Sequence, residues 1–155
     1  MSIKLENINF EDLDEVKELF FQNEKNVCSN DYSEAQRKVW SASIENKQRW
    51  LEAVNEQYFI IAKLETVIVG FGSLKEDNYI DFLYVHKDYQ RHGIGTLIFE
   101  KLETQAKHKN QKLLFSEVSI TAKPFFENKG FKIIKKQLIL RQQIELINYK
   151  MGKQL

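Results

Sequence analysis

Proline, cysteine and glycine are scarce in this chain. Its 155 residues hold one proline, one cysteine and six glycines. Pro124 stands alone, so no proline-rich linker divides the chain. The lone Cys28 cannot close an intramolecular disulfide, which points to a reducing compartment. The amino terminus, MSIKLENINFEDLDE, lacks the apolar core of a secretory signal. No run approaches the roughly 18 apolar residues of a membrane span. Neither sign of charge is in excess: 23 Lys and Arg against 22 Asp and Glu leave a net charge of +1. That balance weighs against nucleic acid and anionic membranes as partners. No internal repeat is visible. The expectation is one soluble, cytoplasmic domain over residues 1–155, long enough to bury a core.

What is present is patterned. SIKLENI alternates apolar Ile3, Leu5 and Ile8 with polar residues, as a strand does. FEDLDEVKELFFQNE sets Leu13, Val16, Leu19 and Phe20 at helical spacing, with acids in its first turn. Ser33 is positioned to cap a second helix through Ala42, and ENKQRWLEAVN reads as a short third. Strand patterns follow at Tyr58–Glu65 and Val67–Glu76, joined tightly at Thr66, and again at Asn78–His86. Ile94–Gln105 puts Ile94, Leu97, Ile98 and Leu102 on one helical face. Lys112–Ser119 is a strand of the buried type. TAKPFFENKGF is a short helix ended by Gly130, and two strands close the chain. Only the passage from 78–86 through the helix to 112–119 is a parallel crossover. The fold class is therefore α/β, an α+β mixed sheet, mostly antiparallel and unlike an all-parallel Rossmann sheet.

Two of the scarce glycines fall in QRHGIG, Gln90 to Gly95, where a strand gives way to a helix. Such a junction can cradle a phosphate, because helix N-terminal amides are unpaired and glycines let backbone come close. It can equally be a tight turn into a core helix. Neither the dinucleotide fingerprint nor a Walker A loop fits the spacing.

VHKDYQRHGIGTLIFEKLETQA resembles the first signature of the GNAT acetyltransferase superfamily: strand end, turn, then Gln/Arg-x-x-Gly-x-Gly opening a helix. SITAKPFFENKGF stands where the second signature of that superfamily belongs. The resemblance implies a GNAT-like fold with one splayed parallel strand pair and flanking helices. It implies acetyl-CoA as co-substrate, an amine of a small molecule or protein as acceptor, and no metal. The backbone of Leu83, Tyr84 and Val85 would pair with the pantetheine arm as an added strand. The amides of Arg91, His92, Gly93, Ile94, Gly95 and Thr96 would hold the pyrophosphate. Val85 is also the candidate oxyanion donor.

Asp81 interrupts an apolar strand, and by alternation shares a face with Tyr79, Leu83 and Val85. Glu117 lies on the partner strand, on the face of Phe115 and Ser119. Buried strands rarely carry unpaired acids, so Asp81 and Glu117 are candidate bases or contacts for a cationic amine; each is also readable as a structural acid at a wet strand end. The chain departs from the resemblance twice. Phe126 stands where many relatives have a tyrosine that protonates the leaving thiolate, and phenylalanine cannot donate. That leaves Tyr79, Tyr84 or water for the proton, with Phe126 packing against the cofactor arm. Ser119 stands where an asparagine is common, and still offers the cofactor a hydroxyl. The Phe126 departure keeps a second reading in play, an acyl-CoA-binding sensor without turnover. A toxin that acetylates aminoacyl-tRNA is disfavoured by the near-neutral charge.

Other residues read as structural. His86 belongs to a strand end, and neither His86 nor His92 has a second metal ligand at recognisable spacing. Cys28, Tyr32, Trp40 and Trp50 suit packing in the helical third. KKQLILRQQ suits a solvated edge strand, and the terminal strand pair leaves a homodimer open.

Overall fold

The computed structural model describes residues 2–26, Ser33, Gln36, 47–141 and 143–155. Most of the expected second helix, with Cys28, Tyr32 and Trp40, lies outside the described residues. Its cap does not: Gln36 N donates to Ser33 Oγ at 3.1 Å, and Ser33 N donates to Gln36 Oε1 at 2.9 Å. That exchange is a capping box.

The strands are β1 (Ile3–Asn7), β2 (Tyr58–Leu64), β3 (Val67–Lys75), β4 (Tyr79–Val85), β5 (Leu113–Ser119), β6 (Lys132–Arg141) and β7 (Ile144–Gln154). The helices are α1 (Leu13–Asn26), α2 (Lys47–Glu56), α3 (Ile94–His108) and α4 (Lys123–Asn128). One sheet runs β1-β2-β3-β4-β5-β7-β6, with β4–β5 its parallel pair. The mixed sheet expected from the sequence is what forms. α3 is longer than its pattern suggested, and Phe99 is buried on it while Leu97 stays 36% exposed.

The central strands β2, β3 and β4 feed two cores, because alternate side chains face opposite ways. Ile61, Phe71 and Phe82 pack under α1 and α2 with Val16, Phe20 and Trp50. Ile60, Val69, Ile80, Leu114 and Val118 pack against α3 with Ile98 and Leu102. α3 lies unusually near β3: a Cβ on Gly72 would sit 2.6 Å from Ile98, and one on Gly70 2.8 Å from it. The glycines of VIVGFGSLK thus make room for the helix that follows the loop at Gln90.

β4 carries a bulge. Phe82 pairs with Ser73 and Ile80 with Leu74, so Asp81 is left over opposite β3. A bulge reverses the alternation beyond it. Leu83 and Val85 therefore join Ile80 in the α3 core, while Phe82 and Tyr84 join the aromatic core under α1. This corrects the expectation that Asp81 shares a face with Leu83 and Val85. Of Tyr79, Leu83 and Val85 it stays with Tyr79 alone, on the side of Phe82, whose ring lies under the Arg49 guanidinium that holds Asp81.

Candidate active site

β4 and β5 pair over two positions, Tyr79 with Phe115 and Ile80 with Ser116. Ser116 Oγ donates to Ile80 O at 2.8 Å and extends the ladder by a side chain. Beyond that point β4 stays with β3 and β5 stays with β7, so the two strands part. His86 N donates to Val69 O on β3 at 2.8 Å. Counting back by alternation, Tyr84 turns its backbone to β3, and Leu83 and Val85 turn theirs to the gap. Of Leu83, Tyr84 and Val85, only Leu83 and Val85 turn their backbone to the gap. The Tyr84 ring packs in the aromatic core, on Phe20 at 5.0 Å and Phe71 at 5.4 Å.

The loop closes one end of the gap. His86 Nδ1 accepts from Asp88 N at 3.1 Å and starts a short 3-10 turn, Lys87–Tyr89. Arg91 and Gly93 then adopt left-handed backbone, with φ of 66° and 76°. Leu97 N donates to Gly93 O at 3.0 Å, the first bond of α3. The amides before it are orphans of the helix start. A Cβ on Gly93 would meet nothing within 4 Å, so this glycine is required for its conformation and not for space. Gly95 is the reverse case: its Cβ would lie 3.4 Å from the Phe125 ring and 3.5 Å from Val85. Arg91 and His92 are exposed, Thr96 is half-buried, and Ile94 offers only backbone because its side chain is in the core.

Acidic residues gather at the opposite end from the loop, where β4 and β5 are still paired. Tyr79 Oη donates to Glu117 Oε1 at 3.0 Å, and Glu117 is exposed. Asp81 is held differently. Gln57 Nε2 donates to Asp81 Oδ2 at 2.8 Å, and Arg49 reaches both carboxylate oxygens at 3.4 Å. The Arg49 guanidinium lies 4.6 Å over the Phe82 ring. Asp81 therefore ties α2 to the bulge, while Glu117 keeps a solvent-facing carboxylate. Arg49, Gln57 and Ser116 carried no motif in the sequence; their roles exist only through contacts between distant segments. Ser119 Oγ accepts from Ala122 N at 3.1 Å, which leads the chain into α4 and leaves the hydroxyl proton to donate elsewhere.

Burial, then the charges of Glu117 and Asp81, push the Tyr79 phenol above its ordinary value near 10. The folded protein keeps a proton that the unfolded chain releases above about pH 10. Stability tied to this phenol is complete below that pH and is lost as pH rises beyond it. Tyr79→Phe has nothing to ionise there and should lose less stability than the unaltered protein from about pH 9 to 11. Urea midpoints across that range check this; parallel curves would refute it.

A family model, acetyltransferase (GNAT) domain, matches residues 28–153. The chain belongs to the GNAT acetyltransferase family. A curated relative, the uncharacterized N-acetyltransferase YafP of Escherichia coli, is 30% identical over 138 residues, covering 89% of this chain and 87% of YafP. A GCN5-related N-acetyltransferase structure from Rhodopseudomonas palustris, also described as a class-II aminotransferase, superposes with a TM-score of 0.94 at 29% identity, covering 100% of this chain and 97% of that one. The PaiA N-acetyltransferase of Thermoplasma acidophilum, solved with coenzyme A, shares the fold at a TM-score of 0.82 and 21% identity, with both chains fully covered. Acetyl transfer is thus the general chemistry of this GNAT chain. Among its described residues no helix is long and apolar enough to cross a membrane.

The position expected for a GNAT tyrosine also changes meaning. Phe126 is only 4% exposed and packs edge-on against Phe131 at 5.0 Å. The ring beside Gly95 and Val85 is Phe125, which is half-buried. Phe126 is buried in the α3 core, and the partly buried Phe125 is the ring next to Gly95.

Proposed function

We propose that this protein is an acetyl-CoA-dependent N-acetyltransferase whose acceptor is an amine of a small molecule or protein. The observation that carries this is the gap between β4 and β5, with the amides of α3 at one end and the Tyr79–Glu117 pair at the other. An extended thioester cofactor would set its phosphates at the helix dipole and its thioester toward the acids. Leu83 and Val85 offer the arm a strand edge. Leu83 lies two residues nearer Tyr79 and Asp81 along β4 than Val85, whose side chain neighbours Gly95. It is therefore the better oxyanion donor.

Glu117 takes the proton of the attacking amine, directly or through water. The C–S bond breaks as the amide forms, and the thiolate takes the Tyr79 phenolic proton. Tyr79 recovers a proton from Glu117 through their existing hydrogen bond. Because burial and two acids keep Tyr79 protonated, it is a proton holder between turnovers and not a base. Asp81, engaged by Arg49 and Gln57, shapes the acceptor side and adds negative potential for a cationic amine.

The test is thiol release from acetyl-CoA across a panel of amines, read with dithionitrobenzoate. Amine-dependent release supports the proposal. Saturable acetyl-CoA binding with no release for any amine would replace it with the sensor reading.

A further inference from the structure

Asn23 is a buried polar residue that the chemistry above does not use. It is 7% exposed and continues the inward stripe of α1 after Leu13, Val16 and Phe20. An apolar side chain would be the ordinary choice there, because a buried amide is costly unless bonded. Its Nδ2 donates to Val85 O at 3.1 Å, 62 residues away. Gln90 Nε2 donates to the same oxygen at 2.8 Å. Both lone pairs of that carbonyl are therefore taken, one by a buried donor and one by an exposed donor of the loop. Val85 is the last residue of β4, beyond the point where β5 has left it, so no neighbouring strand holds its gap-side edge.

We propose that Asn23 is a positioning residue for the cofactor arm. Its amide replaces the missing strand partner and pins the Val85 carbonyl, which holds the end of β4 extended and with it the Val85 N–H on the same, gap-side edge. Gln90 is the exchangeable donor, free to yield its place to an amide of the arm; Asn23 is the fixed one. This inference rests on the acyl-CoA reading of the gap. It adds that α1, which covers the aromatic core, controls cofactor affinity through one carbonyl.

Asn23→Leu removes the donor while extending the apolar stripe, so its melting temperature should hold or rise. The Kd for coenzyme A, by calorimetry, should rise about three- to ten-fold, the effect of one hydrogen bond. The KM for acetyl-CoA should rise equally with kcat unchanged, because the contact is remote from the reacting atoms. Asn23→Asp, isosteric but without the donor, should weaken coenzyme A at least as much. A purely structural Asn23 predicts the opposite pattern, lower melting temperature and unchanged Kd in both variants, and that result overturns the inference. If the unaltered protein binds no coenzyme A, the cofactor reading itself fails, and this inference with it.

Discussion

Glu117→Gln is expected to lower kcat by about 10²- to 10⁴-fold, the usual range for losing a general base, with the Kd for acetyl-CoA unchanged. Glutamine keeps the shape and still accepts the Tyr79 hydrogen bond, so the packing at Tyr79 survives. What it cannot do is take a proton. Asp81→Asn is the control. Asp81 already accepts from Gln57 and Arg49, so its loss should disturb the seat of α2 more than the chemistry. Its kcat should fall far less than that of Glu117→Gln. Steady-state kinetics on both variants decide the matter. If Asp81→Asn is the more damaged in kcat, the assignment of the base is reversed.

Gly93→Val should raise the Kd for coenzyme A by at least about ten-fold. The cost is backbone strain of about 1–3 kcal/mol, because a β-branched residue is forced into left-handed backbone. The chain escapes by reshaping the loop, which scatters the amides at the start of α3. Gly95→Ala tests the other requirement. Its φ is not left-handed, and its Cβ would meet Phe125 and Val85 at 3.4 and 3.5 Å, a tight fit that a small shift relieves. Its effect should be small, and that of a bulky residue at Gly95 large. S-acetyl-pantetheine, which has no pyrophosphate, provides the discriminating measurement. Its turnover should survive Gly93→Val while that of acetyl-CoA is lost. Equal losses for both would remove the loop as a pyrophosphate cradle.

Much of the architecture was legible along the chain because it is written in short-range periodicity. The apolar spacing of Leu13, Val16 and Phe20, the short apolar runs of β2 and β3, and the glycines before α3 all act within a few residues. The parallel crossover from β4 to β5 follows from the intervening helix alone. The bulge at Asp81 was not legible. It comes from how β4 meets β3 across a loop, and it reverses which side chains face which core. The same limit applies to Phe126. Its motif position suggested the cofactor, yet an adjacent Phe125 competes for that place, and helix rotation decides between them.

What the sequence alone determined is therefore the class of the protein: a mixed sheet, a glycine loop opening a helix, and the two signatures of a GNAT acetyltransferase. Those features need only local spacing and backbone freedom. Tertiary structure decided the division of labour among like residues. It assigned Asp81 to Arg49 and Gln57, and Glu117 to Tyr79 and solvent. It brought Asn23 to the carbonyl of Val85. Two carboxylates are chemically alike as letters in a chain. They become different only when folding gives one of them a guanidinium and an amide, and leaves the other to a phenol and solvent.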